Sequence, residues 1–167
     1  MSHRIHIVRR ADPEAARRIL AALPDWFGIP AANEHYVRAA GTKDSYLAIV
    51  DEETVGIALV DRHFPQTGEI HLIAVLPDHH GTGAGSALVA AIEADLVADG
   101  ARLLEVKTVG PSYADAGYAA TRAFYLARGF LPLEEVDGLD WDGPTLIMVK
   151  CLVGAGEWMD GTPPADH

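Results

Sequence analysis

Residues 69–88 read Glu-Ile-His-Leu-Ile-Ala-Val-Leu-Pro-Asp-His-His-Gly-Thr-Gly-Ala-Gly-Ser-Ala-Leu. They constrain the fold more than any other stretch, because they specify a strand, a tight turn and a helix in direct succession. Ile70, Leu72 and Ala74 alternate with Glu69, His71, Ile73 and Val75, the two-residue period of a strand, and Pro77 ends it. Gly81, Gly83 and Gly85, interleaved with Thr82, Ala84 and Ser86, lead into Leu88, Val89, Ile92 and Leu96 at helical spacing. A strand that turns through glycines into a helix leaves unpaired N–H groups at the positive end of the helix dipole, which suits an anion. Glycine also lets the main chain approach a phosphate with no Cβ in the way.

Two common phosphate signatures do not fit. A nucleotide P-loop needs G-x-x-x-x-G-K-[ST], and no lysine lies between Val75 and Lys107. A dinucleotide fingerprint needs a third glycine where this chain has Ser86. The segment Val75-Leu76-Pro77 followed by His80-Gly81-Thr82-Gly83-Ala84-Gly85 instead resembles the acyl-CoA pyrophosphate loop of the GNAT superfamily of N-acyltransferases, with histidine where glutamine or arginine is usual. A second segment, Phe124-Tyr125-Leu126-Ala127-Arg128-Gly129-Phe130, resembles that family's downstream helix signature and lies in the expected order.

At 167 residues with 49% apolar content, the chain is sized for one globular domain, expected over 1–153, with a loose tail over 154–167 rich in glycine, proline and charge. The net charge of -11 disfavours nucleic acid and anionic membranes and would draw in a cation, although acidity also simply serves solubility. No apolar run is long enough for a membrane span. Cys151 is the sole cysteine, which suits a reducing cytoplasm, and its apolar surroundings place it in the core.

Along the chain, Ile5 and Ile7 mark a first strand. Asp12, Pro13 and Glu14 open a helix carrying Ala16, Ile19, Leu20 and Leu23. The segment Pro24 to Pro30 breaks it, and a second helix ends near Gly41. Trp26 and Phe27 either close the core or wall the acceptor site. Tyr46–Val50 and Val55–Asp61 form a hairpin across a polar turn at 51–54, with His63 to Gly68 as the connector to the next strand. Gly56 hints at a bulge or a close backbone approach. Leu104–Lys107, Leu131–Val136 and Thr145–Leu152 read as further strands, with a helix from Tyr118 before the last two. Strands joined by short turns are expected antiparallel and strands flanking a helix parallel, giving an α/β (α+β) mixed sheet of about seven strands with about four helices on its faces.

The resemblance covers about residues 3–152 and implies the GNAT fold, with splayed central parallel strands that hold a pantetheine arm. It implies transfer of an acetyl group from acetyl-CoA, without a metal, to a primary amine of a small molecule or peptide. It leaves a homodimer open. The backbone of His80, Gly81, Thr82, Gly83, Ala84, Gly85 and Ser86 is expected at the pyrophosphate, that of Ala74 and Val75 along the pantetheine, and Tyr118 also at the cofactor. Glu69 and His71, two apart and facing the same way, are the candidate bases, with Glu69 favoured. Tyr125 is the expected acid for the departing thiolate. A non-catalytic acyl-CoA-binding or sensing domain is the competing reading.

Overall fold

The computed structural model describes residues 3–152, and the tail expected over 154–167 lies outside them. Strand β1 (His6–Arg9) is followed by helices α1 (Pro13–Ala21) and α2 (Pro30–Ala39), then by β2 (Asp44–Val50), β3 (Glu53–Phe64) and β4 (Thr67–Val75). A 3₁₀ turn over Pro77–His79 leads to α3 (Ala84–Ala98), β5 (Leu103–Val109), α4 (Ala116–Ala127), β6 (Leu131–Asp137) and β7 (Pro144–Cys151). The strands form one mixed seven-stranded sheet in the order β1-β2-β3-β4-β5-β7-β6. Among the described residues, no helix is long and apolar enough to cross a membrane.

Local chemistry places the helices. Asp12 caps α1 by accepting the Ala15 N–H at 3.0 Å, and Pro13 needs no partner in the first turn. Pro30, expected to belong to the break, opens α2 for the same reason. Ile19, Leu20, Val37, Ile57, Leu59, Leu72 and Ala74 pack together on the face covered by α1 and α2. Ile70, Leu88, Ile92, Leu96, Leu104, Phe130 and Met148 pack on the opposite face, beneath α3 and α4.

Four expectations are corrected. The β2–β3 turn is confined to Asp51 and Glu52, whose φ angles of 48° and 69° belong to the tight mirror-image turn that matches strand twist. Strand β3 then continues through His63 and Phe64, where a connector was expected, because it forms a second hairpin with β4. Strand β1 lies antiparallel to β2 although helices separate them, whereas β5 and β6, both antiparallel to β7 between them, run parallel across α4. Cys151 is exposed, not core, because it ends β7 opposite Leu103, itself 40% exposed.

Two features of β4 shape the centre. Leu59 faces Leu72 and Val60 faces Ile70, so His71 is an extra residue, a bulge. The simple alternation therefore fails there: Ile70 goes to the α3 cluster, whereas Leu72 and Ala74 go to the α1 and α2 cluster. In addition, β4 pairs in parallel with β5 only from Thr67 opposite Leu103 to Ile70 opposite Val106, and beyond Ile70 the two strands part.

Helix α3 is seated on β4 through Gly68, where an added Cβ would lie 2.7 Å from a Leu96 methyl inside the core. Gly68→Ala is expected to cost about 1–3 kcal/mol by overpacking, read as a lower urea midpoint at unchanged slope.

Candidate active site

The parting of β4 from β5 opens a cleft whose floor is the free side of β4. Leu76 donates to the Val55 carbonyl at 2.8 Å, so the alternation of an antiparallel ladder turns the N–H and C=O of Val75, and likewise of Ile73, away from β3 and into the opening. Ala74, expected to share this task, is in the bonded position opposite Ile57 and spends its main-chain groups there.

The glycine loop closes one end of the cleft. Gly81 and Gly83 take φ angles of 73° and 94°, where any side chain would be strained. Gly85 is glycine for another reason, since a Cβ there would sit 3.2 Å from the Phe124 ring of α4. The His80 N–H already donates to Pro77 at 3.1 Å, and the Thr82 N–H to His79 at 3.4 Å. Among the described residues this leaves the amides of Gly81, Gly83, Ala84, Gly85 and Ser86 without a backbone acceptor, at the mouth of α3. The His80 ring turns back, its Nε2 donating to the Val75 carbonyl at 2.7 Å, and Trp26 stands edge-on to it at 6.0 Å. Trp26 also lies against Gly117 on α4, so the α1–α2 loop reaches across the cleft. The cation that His80 does not supply comes from Arg128, whose guanidinium bonds the Ser86 hydroxyl and lies 5.0 Å above the Phe124 ring. Sequence reasoning missed Arg128, although its place beside Gly129-Phe130 marks it.

Glu69 and His71 lie close together on β4 but in different company, and His71 faces α2. Glu69 is buried, accepts from His63 Nε2 at 2.7 Å and holds the Lys107 ammonium at 3.1 Å. Burial pulls the Lys107 pKa down, but the bond and charge of Glu69 and the charge of Glu105 outweigh it and leave it raised. Potential ligand atoms of His63, Glu69 and Glu105 lie within 4.8 Å of one another, yet the Lys107 ammonium, also 3.8 Å from Glu105, already fills the role a metal cation would take. His71 has its Nδ1 3.4 Å from Asp61, which also binds Lys43, and its Nε2 is buried with no hydrogen-bond partner. Its ring is 5.4 Å from that of Tyr36 and 5.8 Å from that of His35. Burial holds the His71 pKa below the ordinary histidine value, against the raising effect of Asp61 and with the help of Lys43. The arrangement of an oriented, neutral imidazole with one vacant nitrogen is that of a proton acceptor.

Tyr125, 3% exposed, is wedged between Phe124 and Phe130 at 5.4 Å from each ring. Burial pushes its phenol pKa well up, and its hydroxyl makes no hydrogen bond among the described residues. Tyr118 begins the same helix, with its own N–H capped by Asp115 at 3.1 Å and its ring 6.4 Å from that of Tyr113.

A family profile described as "Acetyltransferase (GNAT) family" matches residues 13–130. The mycothiol acetyltransferase of Nocardiopsis dassonvillei is 32% identical over 111 residues, which are 63% of this chain and 32% of that protein. The chain thus spans about a third of the length of that relative. Among solved structures, a GNAT-family acetyltransferase from Desulfovibrio desulfuricans superposes with a TM-score of 0.78 at 22% identity, over 90% of this chain and 100% of that one. A GNAT-family acetyltransferase from Elizabethkingia anophelis with acetyl-CoA bound gives 0.68 at 16% identity, over 88% and 97% of the two chains.

Proposed function

This chain belongs to the acetyltransferase (GNAT) family, and from that premise we propose that it transfers an acetyl group from acetyl-CoA to a primary amine of a small molecule or peptide, in the cytoplasm. The observation that carries the reading is the vacant nitrogen of His71 on the bulge where β4 and β5 part, on the strand that leads into the loop of free amides. The relative named as a mycothiol acetyltransferase and the neighbour that holds acetyl-CoA support acetyl as the group transferred.

In this reading the amides of Gly81 and Gly83 to Ser86 hold the pyrophosphate, with Arg128 as the nearby cation. Ile73 and Val75 pair with the pantetheine. An alkylamine is mostly ammonium at neutral pH, and removing its proton costs roughly 4–5 kcal/mol at about 1.36 kcal/mol per pKa unit. His71 Nε2 takes that proton, and Asp61 steadies the imidazolium. The amine nitrogen then bonds to the acetyl carbon while the Val75 N–H draws charge onto the carbonyl oxygen. Collapse of the tetrahedral adduct breaks the C–S bond, Tyr125 gives its proton to the departing thiolate, and the second proton that the amine nitrogen sheds as the amide forms restores the phenol. Glu69 is given to His63 and Lys107 and anchors the cleft floor instead of acting as base.

Titration calorimetry of the purified protein with acetyl-CoA is expected to show binding at micromolar to millimolar concentration, and thiol release is expected only with an amine present. Gly83→Val is expected to weaken acetyl-CoA binding by about tenfold or more, since strain of about 1–3 kcal/mol falls on the loop itself. Binding without amine-dependent thiol release would turn the assignment to an acyl-CoA sensor, and no heat at millimolar ligand would remove it.

A further inference from the structure

The nitrogen assigned to the amine's proton is closed off. The His71 side chain is 23% exposed, yet its Nε2 is buried, and its Nδ1 faces Asp61 at 3.4 Å. Two rings pack on this imidazole, and both come from α2: Tyr36 at 5.4 Å, tilted by 59°, and His35 at 5.8 Å. Their footing differs. His35 is exposed, whereas Tyr36 is half-buried and packs on the core beneath α1 and α2. Tyr36 shares the inner stripe of α2 with Asn33, Val37 and Ala40, the i, i+3, i+4, i+7 set that faces the sheet. Phe27, from the loop between α1 and α2, stands edge-on to Tyr36 at 6.0 Å. The Asn33 side-chain amide donates to the Phe27 carbonyl at 2.7 Å and ties that loop to the helix. Phe27 thus packs on the core and backs the ring beside the base.

A base that water reaches freely does not discriminate between nucleophiles. With acetyl-CoA in the cleft, water can stand in for the amine: its oxygen bonds to the acetyl carbon, the imidazole takes a proton, the C–S bond breaks, and acetate, a proton and the free thiol result. Keeping water out of the site prevents this loss. A water molecule has nothing to offer in exchange for the contacts of a ring. The body of an amine acceptor can take those contacts over as the ring moves aside.

We infer that Tyr36 is the residue by which this site distinguishes an amine from water, its ring shielding His71 Nε2 until the acceptor displaces it. This rests on the acetyltransferase reading above and adds the group that decides which nucleophile reaches the base. Tyr36 acts through His71 and takes no part in proton transfer. A buried nitrogen without a partner is a costly arrangement, and the N–H of the arriving amine supplies the partner.

Two readouts on the full chain test it. Diethyl pyrocarbonate acylates accessible imidazole nitrogens, and peptide mass spectrometry assigns a rate to each histidine. In the wild-type chain His71 is expected to react at least about tenfold more slowly than the exposed His6, as a group reached only by local opening does, and Tyr36→Ala is expected to remove most of that difference. Release of thiol from acetyl-CoA without an amine is expected to rise about tenfold or more in Tyr36→Ala, and to fall back when His71→Gln is added. Tyr36→Phe keeps the ring and should match the wild type in both readouts within about twofold. Where Tyr36→Ala lowers the melting temperature, Tyr36→Leu repeats both readouts with more of the volume filled. Equal reaction of His71 and His6 in the wild-type chain overturns the inference with no variant needed. Unchanged thiol release on removal of the ring, or an equal rise in Tyr36→Phe, also overturns it, and each of these results leaves the acetyltransferase standing. Extra thiol release that survives His71→Gln takes the role of base from His71, and this inference falls with it. Failure to bind acetyl-CoA removes the acetyltransferase reading itself, and this inference too.

Discussion

Replacing His71 by glutamine is expected to lower kcat by about 100- to 10,000-fold while leaving acetyl-CoA binding unchanged, because an amide of similar shape cannot take the proton that the amine must lose. The pH dependence follows from the burial that lowers the His71 pKa. The imidazole stays neutral and competent through neutral pH, and the rate falls only as pH drops below the ordinary histidine range of about 6.5. The same shift makes a statement about stability. A histidine whose pKa is lower folded than unfolded stabilises the fold above about pH 6.5, and that contribution is lost as pH falls through the folded value. His71→Gln should therefore remove the acid limb of the rate profile together with part of the acid sensitivity of the fold. Glu69→Gln is the contrasting variant. It should keep the acid limb but cost about 1–3 kcal/mol in urea unfolding, since it deprives the Lys107 ammonium of its buried charged partner and leaves Glu105 at 3.8 Å. An acid limb that survives in His71→Gln and vanishes in Glu69→Gln would return the role of base to Glu69.

The contrast between these two residues also marks what a linear sequence can tell. Two positions apart on a strand, Glu69 and His71 look equivalent, and an acid at the strand start looks the freer of the two. What separates them is supplied by other elements: His63 from the extended end of β3, Lys107 from β5, Asp61 from β3 and Tyr36 from α2. The bulge at His71 depends on the residue count of β3 opposite it, which no periodicity within β4 encodes. By contrast, the strand–loop–helix unit was legible because its determinants are local: glycines at positive φ, a proline after the strand and a 3.6-residue apolar repeat. Local signals also located the cap of α1 and the glycine that ends α4, with φ of 93° at Gly129.

Where the meaning of a residue is a packing distance, the sequence was ambiguous. Gly85 lies in the phosphate motif, yet the Phe124 ring is what forbids it a side chain. Gly56 was read as a bulge or a close approach, and it is beside the first and part of the second. Val55 is the extra residue in the pairing of β2 with β3, and a Cβ on Gly56 would lie 3.2 Å from Val75 and 3.3 Å from Leu88. Cys151 followed an apolar pattern into an exposed strand end, because the pattern records which residues can be buried and not where the neighbouring strand stops. Arg128 follows the same logic from the other side: a charge within a helix pattern reads as solvated surface until the fold brings α4 against the mouth of α3.

Tyr125→Phe is expected to reduce kcat by about 100-fold, with the affinity for acetyl-CoA unchanged and stability altered by less than about 1 kcal/mol. The separation of these three readouts is the content of the prediction. The ring is held by Phe124 and Phe130 and would be held equally in phenylalanine, so the core gains no cavity. The hydroxyl makes no hydrogen bond among the described residues, so its removal strands no partner. A tyrosine kept only for packing would thus tolerate the change in every respect. A tyrosine that protonates the thiolate cannot, because phenylalanine has no proton to give as charge develops on sulfur. The loss should appear in kcat and kcat/KM alike, the mark of an interaction made in the transition state, and it should shrink with a thioester whose leaving thiol is more acidic and needs less protonation. Undiminished turnover in the variant would take Tyr125 out of the chemistry and leave water in the cleft as the source of that proton.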